Sequence, residues 1–110
     1  MLAETQERLA RNEALFREVN ERIRDAGEQF RDSPEQEYEF FCECPDVACV
    51  ERVALTLAEY EEIRQDPRRF LVAPGHDVPE IEHVVEEEPA TIVEKDGPAG
   101  AIAVQLDPRA

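Results

Sequence analysis

The stretch Phe41-Cys42-Glu43-Cys44-Pro45-Asp46-Val47-Ala48-Cys49 decides how this chain is read, because it holds all three of its cysteines. Just upstream, Glu37-Tyr38-Glu39-Phe40 alternates acidic with aromatic residues and runs into the cysteines. Tyr38, Phe40, Cys42 and Cys44 therefore share one face of a strand, and two thiols on one face can converge on a single ion. Pro45 and Asp46 turn the chain. Cys49 returns at the head of a second strand, Arg52 to Thr56, with Val53 and Leu55 on one face. The expected object is a β-hairpin with ligands on both arms, resembling a zinc knuckle. A fourth ligand stands in Ala73-Pro74-Gly75-His76, where a turn after a short buried strand lets His76 reach back. Three thiolates and one imidazole complete a tetrahedral shell for structural Zn2+. Cys42, Cys44, Cys49 and His76 are thus the expected metal ligands, with His83 and Asp46 as alternatives to His76.

The neighbouring charges separate this reading from its rivals. A thiol redox sensor built on Cys42, Cys44 and Cys49 needs a cation nearby to stabilise a thiolate. Glu43, Asp46 and Glu51 oppose that, and only Arg52 favours it. The same acids assist a bound cation through its outer shell. In a flat strand Cys42 and Cys44 lie too close for a relaxed disulfide, whereas either can pair with Cys49 across the hairpin. A catalytic zinc needs an open coordination position and a general base, for which Glu43 is the candidate. The His-x-Glu and Pro-Cys-x-x-Cys pattern of zinc deaminases is absent. Ser33, the only serine, sits beside a proline, which argues against a serine triad. Gly75, Gly97 and Gly100 form no phosphate-cradling loop. The chain is therefore expected not to be an enzyme.

Outward from the hairpin, residues 3–31 read as one long helix. Phe16, Val19, Ile23, Ala26 and Phe30 follow a three–four spacing, and Leu2, Leu9, Phe16, Ile23 and Phe30 recur every seven residues. Small or polar residues at Thr5, Asn12, Val19 and Ala26 make a weak coiled-coil seam. Glu7–Arg11, Glu13–Arg17 and Glu18–Arg22 support an exposed face, and Gly27 weakens the last turn. At ~40 Å, the helix exceeds the ~30 Å diameter of a domain this size. It either overhangs, docking a protein partner or a second copy in a homodimer, or lies on its own sheet. The break at Asp32-Ser33-Pro34 divides an N-terminal helix, 1–32, from a small α+β metal-binding domain, 33–110. In the latter, Thr56-Leu57-Ala58-Glu59 is a capping box opening a helix over 57–66, with Leu57, Tyr60 and Ile63 inward and a stop at Asp66-Pro67. Residues 82–87 and 91–95 read as a hairpin around Glu88-Pro89, although Ile81, Val84 and Val85 also suit a helical turn, and Ala99 to Leu106 suits a helix or a strand. The Glu86-Glu87-Glu88 run reads as a solvated face, with a cation or basic-partner patch as the alternative. The fold class is α+β: a long helix, a small antiparallel sheet carrying the cysteine hairpin, and one crossing helix.

Charge narrows the partners. The 110 residues carry a formal charge of −15, unevenly spread. Residues 1–32 hold six Arg against eight acids, 33–70 four Arg against ten, and 71–110 one Lys and one Arg against nine. Direct nucleic-acid binding is not expected, since it relies on basic side chains displacing counterions. A basic protein partner or a solubility role suits such a surface. The first residues lack a basic, then apolar, signal pattern, and no stretch is long and apolar enough to span a membrane. Three cysteines, an odd number, point to a reducing cytoplasm.

Four blocks of the sequence occur together in a recognisable combination: residues 11–23, Phe41-Cys42-Glu43-Cys44 with Cys49, residues 55–61, and Arg69-Phe70-Leu71-Val72-Ala73-Pro74-Gly75-His76. Over residues 11–95 they resemble a group of small, uncharacterised actinobacterial proteins. That resemblance implies a shared fold and groups the three cysteines with His76, and it implies no activity. The expectation is a non-catalytic, zinc-stabilised interaction or regulatory module. A regulator docking on transcription machinery follows only from analogy of architecture.

Overall fold

Alternation and capping set most of the elements. The computed structural model describes residues 2–30, 33–46 and 48–109, with side chains from residue 8 onward. The expectations for the side chains of Leu2, Thr5 and Glu7, for residue 31 as the end of the helix and for the break at Asp32 lie outside that description. Helix α1 spans Leu2–Phe30. Strands β1 (Glu37–Phe41) and β2 (Arg52–Thr56) follow, then α2 (Leu57–Arg64), β3 (Arg69–Val72), β4 (Glu82–Glu86), β5 (Thr91–Lys95) and α3 (Gly97–Gln105). The α+β class holds, with a cysteine cluster between the strands. The strands form two antiparallel sheets rather than one: β1 pairs β2, and the second sheet has the order β3-β5-β4. Residues 99–105, ambiguous from sequence, are helical, with Asp96 as N-cap and Pro98 in the first turn.

The β1–β2 register places Phe40 opposite Val53 and Tyr38 opposite Leu55. Phe40 stacks on Tyr60 of α2 with ring centroids 4.4 Å apart. These rings, with Leu55, Leu57, Ile63, Leu71 and Ile92, form the core that joins the hairpin to the second sheet through α2. Thr56 caps α2 reciprocally with Glu59, at 3.2 Å and 2.8 Å, as the capping box requires. The sheets meet edge to edge where the Glu43 N–H donates to the Leu71 carbonyl at 2.7 Å.

Helix α1 buries a face that apolar periodicity does not reveal. Ala10, Glu13, Arg17, Asn20 and Gly27 are buried, whereas Ala26 is exposed and Phe30 is 73% exposed. Phe16, Val19 and Ile23 lie at the half-buried margin. The Glu13–Arg17 pair, expected on an exposed face, is therefore interior. Each member has a better partner across the fold. Lys95 Nζ donates to both Glu13 and Glu82, and Arg17 donates to the Pro67 and Arg69 carbonyls. Gly27 does not end the helix. It marks a close approach, because a Cβ there would lie 3.1 Å from both Leu57 and Tyr38 side-chain atoms.

Candidate metal centre

The site forms where the hairpin meets the end of β3. Beyond β1 the chain stays paired for one residue, with the Cys42 N–H donating to the Glu51 carbonyl at 3.0 Å. Cys42 and Cys44 then project to one side and Glu43 to the other, as strand alternation dictates. The Asp46 carboxylate accepts the Ala48 N–H at 2.9 Å, and its carbonyl accepts the Cys49 N–H at 2.9 Å. This tight turn brings Cys49 back to the cluster. Asn12 of α1 fixes the turn from outside by donating to the Pro45 carbonyl at 2.8 Å.

His76 arrives through a β-turn. Pro74 and Gly75 occupy its centre, Gly75 has φ +82°, and the His76 N–H donates to the Ala73 carbonyl at 3.0 Å. Proline followed by a left-handed glycine is the sequence a type II turn demands. Substitution at Gly75 would be strained by its backbone angle even though space is open around it.

Sγ of Cys42, Cys44 and Cys49 and a ring nitrogen of His76 all lie within 4.8 Å of one another. His76 Nδ1 stands 3.6 Å from the sulfurs of both Cys42 and Cys49. Bonds of about 2.3 Å to sulfur and about 2.0–2.1 Å to nitrogen give a tetrahedron with sulfur–nitrogen edges of about 3.6 Å. The spacing fits a metal at the centre. Cys42 and Cys44 are buried and Cys49 and His76 half-buried. Burial raises the thiols of Cys42 and Cys44 above their ordinary range. Two backbone N–H groups oppose that rise, Ala73 on Cys42 at 3.1 Å and Asp46 on Cys44. Such donors suit a sulfur that carries negative charge, as a metal-bound thiolate does.

The four residues named from sequence thus come together, and the two alternatives do not. Asp46 spends its carboxylate on the turn. His83 is on β4, exposed, and contacts Asp96 at 2.8 Å. Among the described residues, the cysteine–histidine cluster is the one group of three or more potential ligands this close together.

Glu43, the sequence candidate for a general base, is turned away from the sulfurs and fully buried. Its Oε1 accepts the Leu71 N–H at 3.0 Å. Its Oε2 accepts Asn20 Nδ2 at 2.9 Å and the Tyr60 hydroxyl at 3.2 Å. Arg17 Nε lies 3.9 Å away, and its guanidinium sits 3.6 Å from the Phe70 ring centroid. Glu43 therefore backs the site by tying α1, α2 and β3 to the strand that carries Cys42 and Cys44. Sequence reasoning missed this role. The signals were a glutamate between two inward cysteines and an asparagine in mid-helix, a poor helix former that suits a buried partner. Comparison with protein families, with curated proteins and with solved structures found no match, so the chemistry of the site rests on its own geometry.

Proposed function

We propose that the chain is a non-catalytic, zinc-stapled module of a reducing cytoplasm, built to present a fixed acidic surface to a protein partner. The observation that carries this is the convergence of three sulfurs and His76 Nδ1 on tetrahedral spacing. Its location supports a structural role, since the ligands belong to the β1–β2 hairpin on one side and the end of β3 on the other. A bound ion fastens the two sheets where one backbone hydrogen bond and the Glu43 carboxylate join them. The donor set favours Zn2+, because three thiolates and one imidazole form a soft, four-coordinate shell.

The redox reading is weaker, because burial disfavours the thiolates of Cys42 and Cys44. Hydrolysis is weaker too, because the carboxylate nearest in sequence points into the core. A homodimer through the outward face of α1, where Leu15 is 54% exposed, is compatible with the module. Native mass spectrometry of protein purified without chelator tests the proposal and reads the subunit number together with metal content. One zinc per chain is expected. A metal-free chain with three freely alkylated thiols would overturn it.

A further inference from the structure

Away from the metal centre, α2 and the β4–β5 hairpin enclose a cleft of about 260 Å³. Buried Leu55, Ile63 and Ile92 floor it, and Glu59, Glu62 and Glu86 stand on its rim. This volume falls below the ~300–1,000 Å³ that usually holds a small-molecule ligand, and suits a single long side chain. The one cation in the lining, Arg69, is already answered by Glu94 at 3.1 Å and Asp66 at 3.9 Å. Glu59 keeps one oxygen for the Thr56 cap. Glu62 and Glu86 are exposed and have no side-chain partner among the described residues. The acidic run that starts at Glu86 thus continues from a rim with unanswered negative charge. Its carboxylates do not converge as metal ligands do, so a point cation is a poor match.

We propose that this cleft is a docking site for an arginine side chain on a basic segment of a partner protein. The methylene stem would cover the apolar floor, as long basic side chains do. The planar guanidinium, with its spread of donors, can bridge carboxylates too far apart for one ion. This assignment names the partner chemistry for the acidic surface of the zinc-stapled module and rests on that reading.

The test uses the 15N-labelled full chain, with its zinc content measured first. It is titrated with a capped alanine peptide carrying one arginine, and with the same peptide carrying citrulline, which keeps the shape and loses the charge. The arginine peptide should shift amides at Ile63, Ala90 and Ile92 in a saturable way, with the citrulline peptide weaker by roughly tenfold. Glu62→Gln with Glu86→Gln should weaken binding by roughly tenfold, while Glu35→Gln with Glu80→Gln, an equal charge loss at other exposed positions, should change it less than about twofold. Shifts scattered over the whole acidic surface, equal losses in both double variants, or no saturation in the millimolar range would overturn the assignment. Zinc-loaded protein that ignores the peptide breaks the cleft and keeps the staple. Metal-free protein whose shifts still map to the cleft does the reverse.

Discussion

The two ways this chain joins its parts differ in kind. At the hairpin tip, three cysteines and His76 converge, with Cys42 and Cys44 buried and Cys49 and His76 half-exposed. Under α1, the parts are joined by charges buried almost completely: Glu13, Arg17, Glu43, Glu82 and Lys95 are each at most 2% exposed. On the proposed reading, the tip gains its cohesion from an ion that its four ligands share. The ionic layer carries its own counter-charges, at a desolvation cost that good geometry has to offset. On that reading one region is conditional on a ligand, and the other on the protonation state of its members. Both substitute for apolar bulk in a chain with no tryptophan.

The largest effect should come from breaking the conditional half. Stripping zinc with a strong chelator, or introducing Cys44→Ser, should lower unfolding free energy by on the order of 5 kcal/mol or more, since zinc binding is coupled to folding. Thermal unfolding with and without chelator checks this. A transition unchanged by chelator would show that the tip holds without metal. Next comes the ionic half. Glu43→Ala leaves the buried Arg17 without its carboxylate and three donors without their acceptor, so it should cost about 3–5 kcal/mol in urea unfolding. A loss below about 1 kcal/mol would place Glu43 with ordinary surface pairs.

The ionic half should also answer to pH. Burial, opposed by Lys95, pushes the Glu13 carboxyl up from 4.5 to about 7. With the folded value above the unfolded one, the proton is held more tightly in the fold. Its stabilisation is fully present below pH 4.5 and is lost as pH rises through about 7. The loss amounts to roughly 3 kcal/mol at 1.36 kcal/mol per unit. Glu13→Gln cannot lose that proton, so its stability relative to the parent should climb from pH 4.5 to 8 in denaturant titrations. A difference flat in pH would mean that Glu13 stays ionised beside Lys95. The smallest effect lies between the two regions, at the α2 cap. Thr56→Ala should cost about 1 kcal/mol and leave metal content unchanged, which separates local helix stability from the staple.

The two halves were unequally legible in the sequence. The cysteine–histidine cluster was readable because its residue types are rare and their spacing is local. Strand alternation puts Cys42 and Cys44 on one face, and Pro74-Gly75 forces the turn that returns His76. The capping box fixed the start of α2 for the same reason. The buried ionic layer was not readable, because Glu13, Arg17 and Asn20 at helical spacing look like a solvated face. Only their partners, Lys95 and Glu43, at 82 and 23 residues' separation from Glu13 and Asn20, make that face an interior. The junction between the two sheets was hidden likewise. It depends on Glu43 presenting its N–H and carboxylate to Leu71, a long-range contact without local pattern. Residues 99–105 were ambiguous because small apolar residues satisfy either period until α1 packs beside them.

Zinc K-edge X-ray absorption fine structure on the protein as purified addresses the staple most directly, because it reads the first coordination shell. The Cys42, Cys44, Cys49 and His76 site predicts three sulfurs at about 2.3 Å and one imidazole nitrogen at about 2.0–2.1 Å. Cys49→Ser should convert one sulfur scatterer into a lighter one. A shell dominated by oxygen and nitrogen, or one untouched by Cys49→Ser, would contradict it.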